Sequence, residues 1–157
     1  MILLDGIISG IIATLFFDIF QIAALYAYGV SKSNWGLIGR YFIGVARMQL
    51  IQNDLINANK EKNELIIGYF AHYLIGAIFG VAYTVINFIL YDSPSFYLAL
   101  TVGFITVLFG WCVMMPFAFN IGFFASKMDE QKKILVQNLL AHYFFGTGLY
   151  FGLLIAY

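Results

Sequence analysis

The sequence predicts an all-α membrane protein. The expected architecture is a four-transmembrane-helix bundle with a cytoplasmic interfacial amphipathic helix between spans 1 and 2. The third span is kinked at a proline, and the two halves form a weak parallel two-fold internal repeat. Three observations predict this. Four apolar runs are each long enough to cross a bilayer, which takes ~20 residues per helix. Basic residues alternate in abundance from one connection between runs to the next. The box Ala-His-Tyr-x-x-Gly occurs twice, at 71–76 and at 141–146, and holds the only two histidines of the chain. Composition agrees, with 62% hydrophobic and 10% charged residues in 157 and a mean hydropathy of +0.89. A soluble domain is nearer half apolar and about a quarter charged, so lipid must be part of the solvent.

The first span is expected over about 2–29. Its start lacks the basic region and small-residue cleavage site of a secretory signal, so it reads as a retained span. Gly6, Gly10 and Thr14 recur every four residues and form a stripe that admits a close neighbour. Asp18 continues that stripe and is expected to face protein rather than lipid. Ser31 to Asn34 reads as a helix stop followed by a new N-cap. The segment 34–52 then places Trp35, Ile38, Phe42 and Val45 at helical spacing, with Arg40 and Arg47 among them. A basic helix with an aromatic-apolar face suits the headgroup layer, where both arginines would meet anionic lipid. Asn53 to Asn63 reads as an exposed connection.

The second span is expected over about 64–90, with Glu64 at its start, where an acid complements the helix dipole. It carries the first His box and the Gly76/Gly80 pair. Tyr91 to Pro94 is a tight turn. The third span, about 95–126, contains Pro116, which should kink or divide it. Lys127 to Lys133 is a charged turn, and the fourth span, about 134–157, carries the second box. Trp35, Tyr91, Tyr97 and Tyr157 lie where aromatic belts occur.

The connection 30–63 holds Lys32, Arg40, Arg47, Lys60 and Lys62, the turn at 91–94 holds no base, and 127–133 holds Lys127, Lys132 and Lys133. This alternation fits the positive-inside rule with both termini outside. His72 lies eight residues past Glu64, and His142 nine past Lys133. At ~1.5 Å per residue both sit ~12–14 Å from the cytoplasmic end. Asp18 and Asn120 fall in the same half, so one polar side chain from each span is expected near a shared depth. The Gly10–Phe16 and Gly103–Phe109 stretches add a loose match to the repeat.

Gly39-Arg40, the Glu64-x-x-x-Gly68-x-x-x-His72-Tyr73-x-x-Gly76 box, Pro94 with Gly103 and Thr106, Pro116 with Gly122, and His142-x-x-x-Gly146-x-Gly148-Leu149-Tyr150 together resemble one bacterial multi-pass membrane family, domain of unknown function 2938. The resemblance covers nearly the whole chain. It implies a protein of the bacterial inner membrane and brings no activity with it. The family pattern often has glutamine before the proline matched by Pro116; this chain has Met115 there.

Three functional readings follow. In the first, Asp18, His72, His142, Asn120 and Arg40 form a buried polar site that binds a small ligand or ion, relays protons, or holds a partner helix, with a transport-related role as its extension. Arg40 would there fold over the site onto an anionic ligand. In the second, His72 and His142 ligate haem or a metal ion in a redox module, each with glycine one turn on to make room. Asp18 would add a carboxylate to that set. In the third, the same residues only specify packing: each imidazole bonds a neighbouring helix, Asp18 is protonated or pairs with Arg40, and Asn120 is a helix contact. Zero net charge gives no reason to expect a nucleic-acid partner. The expected partners are the bilayer and a second copy of the chain, through the Gly6/Gly10 or Gly148/Gly152 faces. No nucleophile elbow, phosphate-binding glycine loop or paired carboxylates are present, so hydrolase and kinase chemistry has no residues to stand on. The single cysteine, Cys112, closes no intramolecular disulfide.

Overall fold

A computed structural model describes residues 1–52 and 55–156. The described residues form helices and turns, with no strand among them. The order is α1 (Ile2–Tyr28), α2 (Trp35–Ala46), α3 (Glu64–Leu90), α4 (Phe96–Phe109) continued by a π-helical segment (Gly110–Ala118), a 3₁₀ turn (Phe123–Ala125) and α5 (Gln131–Ala156). Four stretches are long and apolar enough to cross a membrane: Ile2–Tyr28, Glu64–Leu90, Phe96–Ala118 and Gln131–Ala156. The chain divides into two compact units: 1–33, 73–106 and 139–157 in one, 34–72 and 107–138 in the other. The belt expectation for Tyr157 and the start of the exposed connection at Asn53 lie outside the described residues.

In the first unit α1 packs on α3 and α5 through small residues. A Cβ at Gly10 would come within 2.6 Å of the Ala77 Cα, and one at Gly6 within 2.6 Å of the Val81 Cα. On its other side α1 meets α5, where a Cβ at Gly148 or Gly152 would fall 2.6 Å from the Cα of Ala13 or Ser9. Lipid supplies no hydrophobic force between helices, so close backbone approach supplies dispersion contacts instead. Both glycine faces expected as surfaces for a second copy are therefore covered from within the chain. The Ser9 hydroxyl donates to the Leu149 carbonyl at 2.8 Å, and Ser9, Ala13 and Thr14 are fully buried.

The helix ends follow ordinary capping chemistry. Gly29 takes the left-handed conformation (φ 64°) and its N–H closes on the Leu25 carbonyl, as a glycine past a helix end does. Gln21 then pins the next segment: its amide donates to the Ser33 hydroxyl and accepts from the Ser33 N–H. At the far end of α3, the buried Asn87 side chain bonds the Ser93 carbonyl and the Ser95 N–H, while Ser95 Oγ caps α4 at the Leu98 N–H. The Tyr83 hydroxyl donates to the Ser95 carbonyl.

In the second unit, α2 begins where Asn34 accepts from the Leu37 N–H at 3.1 Å. The helix is Trp35–Ala46, shorter than the 34–52 segment expected. The third span also stops early, at Ala118 rather than near 126. Pro116 has no N–H to donate, and the backbone after it bonds over longer reaches: Phe119 N–H to the Met114 carbonyl and Ile121 N–H to that of Met115. Asn120 is thus not a helical residue of a span. It sits in the turn at φ 53° and accepts from Lys127 Nζ at 2.8 Å through its side chain.

Candidate functional site

The second unit brings together three sequence signals that were read separately. Glu64, Gly68 and His72 recur every four residues, so they share one face of α3. Trp35, Gly36, Gly39 and Arg40 form the buried face of α2 that meets it. At one end Arg40 Nε donates to Glu64 Oε2 at 2.8 Å and Nη2 to Oε1 at 3.2 Å. In the middle, Gly39 and Gly68 bring the two backbones together: a Cβ on Gly39 would overlap the Glu64 carbonyl, and one on Gly68 the Trp35 carbonyl. At the other end the Trp35 indole stacks on the His72 ring, with centroids 3.8 Å apart and planes 24° off parallel.

Arg40 is buried at 8% exposure, and its charge is fully employed. Besides Glu64 it donates from Nη1 to the Leu55 and Ala58 carbonyls, at 3.0 and 2.7 Å. Glu64 also accepts from the Glu61 N–H at 2.9 Å. Hydrogen bonding to Glu64 pushes the Arg40 pKa above its already high ordinary value, so the guanidinium is cationic at every working pH. Arg40 is therefore a fastener of the 55–64 connection, with four of its five donor directions used inside the protein. Trp35, expected in an interfacial belt, is instead buried at 7% exposure under His72. Arg47 makes a second, exposed pair with Glu61 at its Nη1 and Nη2 atoms. Arg47 holds the Glu61 carboxyl below the usual carboxylate range.

The first unit holds Asp18 and His142. The Tyr73 hydroxyl donates to Asp18 Oδ2 at 3.1 Å. Thr106 Oγ1 donates to the Gly103 carbonyl at 2.7 Å and lies 2.8 Å from His142 Nδ1. The Phe17 ring meets the imidazole edge-on at 5.2 Å. Around this bond α4 and α5 approach closely, since a Cβ on Gly103 would fall 2.6 Å from the His142 carbonyl oxygen. Among the described residues, no group of three or more His, Cys, Asp or Glu could hold a metal ion.

Several of the residues that carry the resemblance meet across helix pairs here: Gly39-Arg40 on Glu64 and Gly68, and Gly103 with Thr106 on His142 and Gly146. The chain matches the family described as "Protein of unknown function (DUF2938)" over residues 7–156. It belongs to that family. No curated protein and no solved structure matches the chain. The family thus brings a pattern and no chemistry, and the pattern's residues acquire roles only from their neighbours.

Sequence reading missed Trp35 as the partner of His72, Tyr73 as that of Asp18, and Asn87 and Gln21 as turn locks. The four-residue spacing of Glu64, Gly68 and His72, set beside Trp35-x-x-x-Gly39-Arg40, was the available signal for the first. A strained turn was also hidden. Asn120, Phe124 and Ala125 have φ near +53°, as does no residue flanking them save Gly122 at 81°. Such non-glycine conformations cost on the order of 1–3 kcal/mol each. Lys127, Gln131 and the Trp111–Phe124 ring contact hold them, and the Trp111 indole N–H is buried without a hydrogen-bond partner among the described residues.

Proposed function

We propose that the protein is an integral protein of the bacterial inner membrane with a structural or binding role, whose polar family residues fasten helix to helix. Four spans cross the bilayer with both termini outside, α2 lies in the headgroup layer on the cytoplasmic side, the third span bends at the Pro116 segment, and the halves share a parallel repeat. The observation that carries the reading is the α2–α3 fastening, in which Arg40–Glu64, Gly39–Gly68 and Trp35–His72 line up along one seam. Under this reading an aromatic ring is what position 72 requires. His72→Phe is expected to leave the thermal midpoint of the detergent-purified protein within about 2 °C of wild type, since one aromatic ring replaces another on the indole. The wild-type protein should show no Soret band and no stoichiometric metal. A Soret band or bound metal that His72→Phe abolishes would replace fastening with ligation.

A second reading is favoured by one observation: Asp18 is a half-buried carboxylate within a membrane-spanning helix, held by the Tyr73 hydroxyl. An acid so placed is a functional suspect by default, as a proton or monovalent-cation site. Asp18→Asn keeps the hydrogen bond and removes the charge. Proton or sodium uptake into proteoliposomes that this variant eliminates would support the second reading, and equal flux in both proteins would remove it.

A further inference from the structure

The connection after α2 builds a pocket that the fastening of α2 does not use. Its volume is about 460 Å³, and its polar lining comes from Arg40, Arg47, Gln49, Gln52, Asn59 and Glu61. The walls are fixed. Gln52 donates to the Tyr41 and Gln49 carbonyls, and the Tyr41 hydroxyl donates to the Leu50 carbonyl, which folds the chain back along α2. Arg40 lines it and is committed to its own partners. Arg47 is different: its side chain is 57% exposed, and among the described residues it pairs with Glu61, whose side chain is 33% exposed. Exposed pairs contribute little, so a phosphate can take Glu61's place on the guanidinium fork at small cost.

The pocket has an apolar edge: Ile51 lines it and is 64% exposed, and Met48 and Leu50, near it in the sequence, are 86% and 62% exposed. Met48 occupies the position past the end of α2 that glycine usually fills, with φ 65°. Its N–H reaches the Val45 carbonyl and the Gln49 N–H that of Gly44, both at 2.9 Å. A β-carbon is unfavourable there, and the result is an exposed methionine directly after Arg47.

We infer that this pocket seats the phosphate of an anionic glycerophospholipid, with Arg47 on the phosphate, Gln49, Gln52 and Asn59 on the polar headgroup, and Met48, Leu50 and Ile51 against the acyl chains. The ligand must be amphiphilic because one short stretch presents both chemistries; a free phosphate leaves the apolar edge in water. The inference rests on the interfacial placement of α2 proposed above.

The test titrates the detergent-purified full chain with short-chain phosphatidylglycerol, phosphatidylcholine and glycerol phosphate, reading bound ligand by native mass spectrometry. Phosphatidylglycerol should bind in preference to phosphatidylcholine, and glycerol phosphate should not bind measurably. Arg47→Gln should weaken phosphatidylglycerol roughly fivefold, the worth of one basic residue at an anionic surface. Glu61→Gln, which removes the competing carboxylate, should strengthen it. Met48→Gly should weaken it while leaving the thermal midpoint without lipid unchanged or higher. Lys60→Gln, a neighbouring exposed base, should have a smaller effect than Arg47→Gln. Equal binding of the two lipids, equal losses in the Lys60 and Arg47 variants, or tight binding of glycerol phosphate would each overturn the seat. If Arg47→Gln does not fold, the Glu61 and Met48 variants decide, and unchanged lipid binding in both overturns it. The His72→Phe midpoint is unaffected by any of these outcomes, so the two proposals fail separately.

Discussion

The two Ala-His-Tyr-x-x-Gly boxes share their letters and differ in what holds them. His72 lies flat against an indole, in a seam that also contains a part-buried ion pair and a backbone contact between two glycines. His142 presents an edge: one bond to a threonine hydroxyl, one ring approaching edge-on, and a glycine contact with a little more room. The tyrosines diverge as well. Tyr73 donates to Asp18, whereas Tyr143 is half exposed and meets Phe144. A repeated motif therefore fixes where a polar group can enter a helix pair, and the facing helix decides what that group does there.

The largest expected effect tests the ion pair that only the first box possesses. Arg40→Met leaves the part-buried Glu64 without its cation, and the loss is bounded above by the ~3–5 kcal/mol of breaking a fully buried pair. The thermal midpoint should drop steeply. Removing both charges, as Arg40→Met with Glu64→Leu, should recover most of the loss. A double variant as unstable as the single one would mean that the carbonyls of Leu55 and Ala58, rather than Glu64, set the cost.

The glycines come next and compare the helix contacts beside the two histidines. Gly68→Ala drives a methyl into the Trp35 carbonyl, and overpacking of that kind costs about 1–3 kcal/mol or more. Gly146→Ala meets the Ala99 carbonyl oxygen at 2.9 Å and the Leu100 Cα at 3.1 Å, so a shift of a few tenths of an ångström relieves it. The first variant should lose clearly more stability in denaturant titration. Equal losses would erase the distinction between the tight seam and the looser one.

The smallest effect is at the second histidine. Thr106→Val removes the hydroxyl that bonds His142 Nδ1 and keeps the shape. Bonds of this kind between membrane helices average ~0.6 kcal/mol, so the midpoint should move by no more than a degree or two. A loss as large as that of Arg40→Met would show that this hydroxyl supports more than packing.

Much of this was legible in the residues, for identifiable reasons. The spans follow from apolar length, and the start of α3 at Glu64 and the cap at Asn34 follow from local chemistry. The early end of the third span was not legible. The apolar run continues past Ala118 through Phe119, Ile121, Phe123 and Phe124, and hydropathy does not distinguish helix from a strained aromatic turn. Asn120 was misread as a span residue for that reason. Trp35 was misread because tryptophan suits an interface as well as a stacked interior, and only the facing helix decides between them. The histidines were legible as polar groups needing partners, while the partners were not, because Trp35 and Thr106 lie 37 and 36 positions away.

The pairing of Arg40 with Glu64 also sets an order of events. The two residues are 24 positions apart, and the cation leaves the ribosome first. Until the acid follows, α2 carries an uncompensated guanidinium and has no glycine groove to enter. The seam can close only once the next membrane-crossing helix has begun to emerge, so early maturation of α2 depends on a segment not yet made.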